Sequence, residues 1–258
     1  MIVTTGGRTS EACIAEAKKA AAGLGASYIE RKKRPIALLK EEYNDHCLVI
    51  GRDRWELYHR QADEPFFFHP NMAMLRLKRL QNGSIDPFAE AAGLKAGMTF
   101  VDCTLGLASD SIIASWITGD EGRVIGIEEN KYLAFLVEHG LKKWRGRDSS
   151  LNEAMERIQI KTGNHLDILK KLGTKSVDVV YFDPMFEETI AESSGIRPLV
   201  QFAESAPLTR EAVHEAVRAA AVRVVLKDHY RSSSFEEFGF KTNKRKSAKF
   251  HYGIIEAH

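Results

Sequence analysis

Residues 98–115, with the sequence MTFVDCTLGLASDSIIAS, constrain the fold more than any other segment of the chain. Residues 99–103 form a short β-favouring run that contains the acid Asp102. Gly106 then marks a turn, and the apolar residues after it recur at the spacing of one helical face. The segment therefore predicts a strand, a glycine turn and a helix. In parallel α/β sheets such a unit binds ligands at the carboxyl edge, where the helix N-terminus presents free backbone N–H groups.

Length and composition limit what else the chain can contain. With 258 residues, 44% of them hydrophobic, it is long enough for one large domain and one small one. The net charge of +2 only slightly favours an anionic partner, so a nucleic-acid argument depends on local clusters of charge. The three cysteines have no paired spacing, and no apolar run is long enough for a signal peptide or a membrane span. We therefore expect a cytoplasmic protein with no membrane partner and no metal site.

The sequence predicts two domains. Residues 1–84 alternate short apolar runs with helical segments and predict a small N-terminal α+β domain. Residues 85–258 contain the strand–turn–helix segment and predict a Rossmann-like domain. The boundary is placed after Asn82 and Gly83, which break the chain ahead of a short helix predicted over residues 87–93.

Three features of the N-terminal domain concern substrate contacts. The basic run at residues 31–34 either contacts RNA phosphates or is a solvated surface. The three phenylalanines at residues 66–68 either stack on an unpaired base or pack in the core, and core packing is favoured. A helix predicted over residues 72–80 has an apolar side, with Arg76, Lys78 and Arg79 on the basic side.

Further strands extend the predicted sheet, at residues 123–127, 158–160, 177–182, 222–226, 238–240 and 250–255. Glu128 ends the second strand of the Rossmann-like domain. In a βαβ nucleotide fold the acid at this place accepts hydrogen bonds from ribose hydroxyls. The alternative is that Glu128 and Glu129 only begin the next helix, where acids favour the positive end. Polar groups in the turn at residues 162–165 would lie beside an adenine.

The fourth strand leads to the tetrapeptide Asp183, Pro184, Met185 and Phe186 at the same edge. The Asp183 carboxylate and the Pro184 carbonyl can hold the amino group of a planar substrate, while Phe186 stacks on its ring. These three residues are the predicted catalytic group. The alternative is that Asp183 and Pro184 only end a strand and that Phe186 fills the core.

The glycine turn excludes two classes of ligand. Dinucleotide binding requires G-x-G-x-x-G, but the turn has one glycine, and no Walker motif for ATP occurs in the chain. S-adenosylmethionine carries an adenosine and an amino-acid tail without phosphates. It suits the turn formed by Asp102, Thr104 and Gly106 together with Glu128 and the tetrapeptide that begins at Asp183. The sequence therefore predicts this cofactor.

Six motifs, which cover roughly the last two-thirds of the chain, carry a resemblance to a known family: VDCTLGLASDSIIAS, IGIEEN, TGNHL, YFDPMF, RVVLKDHY and SAKFHYGII. The chain resembles the ribosomal RNA small-subunit methyltransferase J family, whose members methylate guanine N2 with S-adenosylmethionine. The resemblance implies a class I, Rossmann-like fold with a mainly parallel seven-stranded sheet. It also implies cofactor contacts at Ser109, Asp110, Glu128, Glu129, Asn164, His165 and Asp183.

The resemblance implies methyl transfer to an exocyclic guanine amine, with ribosomal RNA or the small ribosomal subunit as partner. Ser109 stands where the family has an arginine, and Asn164 and His165 stand where it has serines, so these departures concern the substrate. A second basic run at residues 142–147 is another candidate for phosphate contacts. The alternatives are methylation of a small molecule or another RNA, and an RNA-binding protein without catalysis.

Overall fold

A computed structural model of the chain describes residues 1–184, 202, 207–242 and 248–257. The first part of the chain forms a four-stranded sheet with the order β2-β1-β3-β4. β1 is parallel to β2 and β3, whereas β4 is antiparallel to β3. Its elements are β1 (Ile2–Thr5), α1 (Glu11–Leu24), β2 (Ser27–Tyr28), α2 (Ile36–Tyr43), β3 (Cys47–Ile50) and β4 (Trp55–Tyr58).

The remaining strands form a seven-stranded sheet with the order β10-β11-β9-β8-β5-β6-β7. Strands β5 to β9 are parallel to their neighbours among themselves, and only β11 runs against β9 and β10. The predicted mainly parallel seven-stranded sheet is therefore confirmed. The elements are α3 (Asn71–Gln81), α4 (Pro87–Ala92), β5 (Thr99–Asp102), α5 (Ser109–Thr118), β6 (Arg123–Glu128), α6 (Lys131–Lys143), α7 (Ser149–Arg157), β7 (Gln159–Thr162), α8 (His165–Lys170), β8 (Val177–Phe182), α9 (Arg210–Ala219), β9 (Ala220–His229), α10 (Ser234–Glu237), β10 (Lys241–Thr242) and β11 (Phe250–Glu256).

Two predicted elements differ from the structure. The helix after β5 begins at Ser109 rather than at the glycine, because Gly106 and Ala108 both have positive φ angles and form a turn. The strand predicted at residues 238–240 is absent from the described chain, where β10 begins at Lys241. Gly239 has φ 79° and forms a turn, which interrupts the pairing expected from the apolar run.

One hydrophobic core contains residues from both sheets and the helices between them. Trp55 of β4 stacks on His139 of α6, with the ring centroids 3.4 Å apart. Phe66 and Phe68 are 1% and 8% exposed, which confirms core packing for these two phenylalanines. The division at residue 84 stays a prediction. No helix in the described ranges is long and apolar enough to cross a membrane.

Helix α3 differs from its predicted orientation. Its buried residues are Ala73 and Leu77, whereas Met72 and Leu75 are 58% and 46% exposed. Arg76 turns inward, where its guanidinium pairs with the carboxylates of Asp86 and Asp110. The predicted sides are therefore right for Leu77, which is buried, and for Lys78 and Arg79, which are exposed. They are wrong for Leu75, which is exposed, and for Arg76, which is held inward by its ion pairs.

The contact between α6 and the segment before α3 predicts the effect of a single methyl group. A Cβ added at Gly140 would lie 2.1 Å from the Phe68 ring. We expect Gly140→Ala to reduce the free energy of unfolding by about 1–2 kcal/mol, because overpacking outweighs the better helix propensity of alanine. Urea denaturation measures this change in the free energy of unfolding. The loss of stability caused by Gly140→Ala should be smaller when Phe68→Leu is also present. A Gly140→Ala variant that is more stable than the wild type would contradict the close contact.

Candidate functional site

The predicted site residues come together because four parallel strands end at one edge of the larger sheet. β7, β6, β5 and β8 are adjacent in that order, and each is parallel to its neighbours. Their carboxyl ends therefore meet at the same edge. Asp102 ends β5 and Glu128 ends β6, while Asn164 and Asp183 follow β7 and β8 closely.

The glycine turn after β5 is held by hydrogen bonds that the Asp102 carboxylate accepts from the turn and from α5. Asp102 is 2% exposed, and its carboxylate accepts from Thr104 N at 3.0 Å and from Ser111 Oγ at 2.7 Å. Burial raises the pKa of Asp102 to about 7, and these two hydrogen bonds oppose the rise. The turn also lies against β6, since a Cβ on Gly126 would be 2.3 Å from Leu105 Cδ1. Only glycine allows this approach.

Helix α5 starts in an unusual conformation. Its N-cap residue is Ala108, which has φ 61° and contributes no side-chain hydrogen bond to the cap. A non-glycine residue in the left-handed region is strained, typically by about 1 kcal/mol or more. The start of α5, with Ser109 and Asp110 in its first turn, therefore keeps backbone N–H groups without a side-chain cap at the ligand-binding edge.

Glu128 lies against the glycine turn. Its Oε1 accepts from Asn130 N at 3.0 Å, and the backbone N–H of Gly106 is a further donor to this carboxylate. Burial raises the pKa of Glu128, while these backbone hydrogen bonds oppose the rise. Helix α6 begins at Lys131 and is capped by the Asn130 side chain. The helix start therefore does not require either glutamate as its cap.

The turn after β7 is connected to the end of β6. Asn164 Nδ2 donates to Glu129 Oε1 at 3.0 Å, while Asn164 Oδ1 accepts from Leu166 N and caps α8. The His165 ring meets Phe182 edge-on, with centroids 5.7 Å apart. Burial lowers the pKa of His165, and the charge of Glu129 only partly offsets it. A neutral imidazole therefore lies beside the last residue of β8.

The acids at this edge form two groups with different partners. Asp102, Glu128 and Glu129, over β5 and β6, have no ion pair within the described part of the chain. Asp110 and Asp183, closer to β8 and β9, are both paired with basic side chains. The first group can therefore accept hydrogen bonds from a ligand or pair with its positive charge. The negative charges of the second group are already neutralised in part by their basic partners.

Asp183 is held by two neighbouring elements. Lys227 Nζ of β9 donates to Asp183 Oδ2 at 2.5 Å, and Asp183 N donates to Thr104 Oγ1 at 2.7 Å. Burial and the charge of Asp110 raise the pKa of Asp183, whereas Lys227 opposes them. Thr104, predicted as a cofactor residue, thus connects the glycine turn to β8. Pro184 follows half-buried, and Phe186 lies outside the described residues.

Asp110 belongs to the same buried network. It accepts from Arg76 Nη1 at 2.5 Å and from the Tyr181 hydroxyl at 3.0 Å, and it lies 3.8 Å from Lys227 Nζ. Arg76 in turn forms a bidentate ion pair with Asp86. Burial raises the pKa of Asp110, but Lys227 and Arg76 outweigh it and keep the pKa below its ordinary value. Asp110 therefore remains ionised beneath Asp183.

Sequence reasoning missed Lys227 and Arg76. A signal for Lys227 was present in the sequence. Lys227 directly follows the buried apolar residues Val224, Val225 and Leu226, and it is the one basic residue in the segment 224–228. Arg76 had no comparable signal. Its partners Asp86 and Asp110 lie 10 and 34 residues away in the sequence.

The two basic runs are placed differently from these site residues. Residues 142–147 begin with the last two residues of α6, which leaves the carboxyl edge at Lys131 and is 13 residues long, so the run lies roughly 20 Å from that edge. Lys142 and Arg145 are also paired with glutamates. In the other run the Arg31 and Arg34 guanidinium groups donate to backbone carbonyls of neighbouring residues. RNA contact by either run stays a prediction.

Comparison with known proteins adds a family and a fold. The family described as "Putative SAM-dependent methyltransferase" matches residues 32–251. Uncharacterized protein YpiP of Bacillus subtilis is 48% identical over 255 residues, 99% of each chain. Ribosomal RNA small subunit methyltransferase J of Pseudomonas syringae is 32% identical over 200 residues, which are 73% of this chain and 72% of that one.

A solved structure supports the fold over the full length. The crystal structure of a SAM-dependent methyltransferase from Neisseria gonorrhoeae aligns with a TM-score of 0.65. The alignment covers 100% of this chain and 96% of the other, at 16% sequence identity. At this identity the similarity extends to the fold alone. It agrees with the class I, Rossmann-like architecture predicted from the motifs.

The buried Asp102 predicts a pH dependence of stability. Its pKa is raised to about 7 in the folded protein, from an ordinary value near 3.8, so ionisation favours the unfolded chain. We expect the stabilisation from protonated Asp102 to be lost between about pH 4 and pH 7, at about 1.4 kcal/mol per pH unit. Urea denaturation from pH 5 to 8 should show this loss in the wild type relative to Asp102→Asn. A pH-independent difference between the two proteins would contradict the raised pKa.

Proposed function

The chain belongs to the family of SAM-dependent methyltransferases, and from this premise we propose that it methylates an exocyclic guanine amine in small-subunit ribosomal RNA. One observation carries the proposal: Asp183, next to Pro184, is held at the carboxyl edge by Lys227. A fixed carboxylate beside a backbone carbonyl can orient an amine. The similarity to ribosomal RNA small subunit methyltransferase J supports the choice of substrate.

The acids over β5 and β6 fit the cofactor S-adenosylmethionine. The cofactor supplies a methyl group on a positively charged sulfonium, and it also has an ammonium group and ribose hydroxyls as donors. Glu128 and Glu129 have no ion pair in the described chain, so their carboxylates match those donors, whereas Asp102 is 2% exposed and holds the glycine turn through Thr104 and Ser111. Glu128 would hold the ribose hydroxyls, and the polar turn at Asn164 and His165 would border the adenine.

The residues over β8 and β9 suit a neutral acceptor. An exocyclic guanine amine is a weak nucleophile, since its lone pair is delocalised, and it gains most from orientation. Lys227 occupies Asp183 Oδ2 and leaves Oδ1 as an acceptor for one amine hydrogen. The Pro184 carbonyl is the second acceptor. A base within a duplex must first be flipped out, at a cost of a few kcal/mol.

Label transfer tests the proposed reaction. Purified protein is incubated with methyl-labelled S-adenosylmethionine and small ribosomal subunits from a strain that lacks the gene. We expect the label in small-subunit RNA and, after digestion, in N2-methylguanosine. Label in a small-molecule fraction alone would favour a metabolite as substrate. A protein that does not bind S-adenosylhomocysteine in calorimetry would instead favour an RNA-binding role without catalysis.

The position of Glu128 predicts its contribution to cofactor affinity. We expect Glu128→Ala to weaken binding of S-adenosylmethionine by about 1.5–3 kcal/mol, because a charge-assisted hydrogen bond is lost. Isothermal calorimetry on the folded variant measures this. Glu121→Ala is the matched control, because Glu121 is exposed just before β6 at the opposite edge of the sheet. Equal affinities for both variants would remove Glu128 from the site.

The pair of Asp183 and Lys227 predicts how the rate depends on pH. Asp183→Asn should reduce kcat by about 100-fold or more with little change in cofactor affinity. In Lys227→Met the Asp183 carboxylate loses its cation but keeps Asp110 nearby, so its pKa rises further and the protonated, inactive form increases. Its kcat should therefore be lower than that of the wild type and should rise with pH over a higher pH range than the wild-type kcat does, and Lys227→Arg should recover part of the rate. A pH profile for Lys227→Met parallel to that of the wild type would argue against this role of Lys227.

A further inference from the structure

We propose that Tyr230, Arg231, Lys249 and the half-buried Phe250 form a surface, termed the Tyr230 surface, that binds single-stranded RNA next to the methylated base. This inference rests on the proposed function and names the part of the chain that receives its substrate. Tyr230 and Arg231 directly follow β9, Lys249 directly precedes β11, and Phe250 is the first residue of β11. None of them belongs to the two basic runs considered from the sequence.

The order of the strands determines the direction from which the acceptor arrives. The acids that match the cofactor lie over β5 and β6, on one side of β8. On the other side of β8 are β9 and then β11. An amine that reaches Asp183 while the cofactor occupies the first side therefore has its surrounding nucleotides over the second side. The Tyr230 surface lies there.

A continuous series of contacts connects Asp183 to this surface. Lys227, which holds Asp183, has its Nζ 5.7 Å from the centroid of the Phe250 ring. Phe250 is paired with His229 in the ladder between β11 and β9. The His229 ring lies 4.5 Å from the ring of Tyr230. Aromatic rings therefore extend from the catalytic carboxylate to the exposed surface.

The chemistry of the Tyr230 surface matches RNA. Tyr230 is 45% exposed, and the Arg231 guanidinium carbon lies 5.0 Å from the centroid of its ring. Lys249 is exposed, and its carbonyl accepts from Tyr230 N at 3.0 Å. The neighbouring acid, Asp228, is 2% exposed and accepts from Ser232 Oγ, so its charge is directed inward.

An exposed ring flanked by two cations fits a base and its phosphates. Bases stack on aromatic side chains whatever their identity, and lysine and arginine neutralise the phosphates on either side. An acidic peptide would use the cations without requiring the ring. An exposed ring together with two cations therefore favours an unpaired RNA strand over an acidic peptide. Substitution of the ring distinguishes these two partners, because only the RNA strand requires it.

Fluorescence anisotropy with a labelled single-stranded RNA oligonucleotide tests the proposal, with purified small ribosomal subunits as competitor. Tyr230→Ala should weaken RNA binding about tenfold, within the range of stacking energies per base, whereas Tyr230→Phe should bind like the wild type. Tyr230→Leu keeps an apolar side chain but no aromatic face, and it should behave like Tyr230→Ala. Arg231→Gln should reduce the salt slope by just under one unit.

Two controls separate this surface from general effects. Lys95→Gln removes an exposed charge just before β5, at the opposite edge of the sheet, and should leave the salt slope unchanged. Calorimetry with S-adenosylhomocysteine should give the same affinity for every variant.

The outcomes distinguish this inference from the proposed function. One outcome is that the wild-type protein binds and methylates RNA, and that Tyr230→Ala and Arg231→Gln bind RNA with the same affinity as the wild type. This outcome would overturn the Tyr230 surface alone. Retained RNA binding in Tyr230→Leu together with a loss in Arg231→Gln would indicate phosphate contacts without base stacking and also overturn it. A wild-type protein that methylates a small molecule but neither binds nor methylates RNA would overturn the proposed substrate, and the surface with it.

Discussion

The burial of two like charges side by side is the constraint on which the rest of the site depends. Asp110 and Asp183 are 12% and 26% exposed, and two carboxylates this close cannot both be ionised without a cation. Lys227 lies between them, and Arg76 pairs with Asp110 from the other side. Removing one partner of such a buried pair typically costs about 3–5 kcal/mol, because the other charge is left uncompensated. The position of α3, which carries Arg76, is therefore coupled to the charge state of the site.

The same network explains how distant segments form one edge. Arg76 connects α3 to Asp86 before α4 and to Asp110 on α5, while Thr104 connects the glycine turn to β8. Each bond also restricts a loop that would otherwise be free at the carboxyl edge. A reaction that depends on orientation requires such restriction, since small displacements of the reacting atoms reduce the rate greatly. The strained start of α5 is consistent with this demand, because its conformation persists only when its surroundings fix it.

The sequence allowed the larger sheet to be predicted almost completely, because its strands are apolar runs that end in polar residues. The predicted strand of residues 177–182 coincides with β8, and the predicted second strand extends in the structure by one residue, to Glu128. The inward position of Arg76 on α3 was missed, because a periodic pattern does not reveal that Arg76 has carboxylate partners 10 and 34 residues away. Lys227 was missed for a similar reason. A single lysine in a strand has no recognisable role until its neighbour in the sheet is known.

The two groups of acids give the edge an electrostatic division that suits a reaction between a cation and a neutral amine. Over β5 and β6 Glu128 and Glu129 lack basic partners in the described chain, so under the proposed function they would accept hydrogen bonds from a positively charged cofactor. Over β8 and β9 the acids are balanced by Lys227 and Arg76, so a neutral base can approach without adding or removing a buried charge. In the proposed reaction, methyl transfer moves the positive charge from the first half towards the second. Asp183 would then lie where that charge develops, and the oxygen that Lys227 does not occupy would stabilise it.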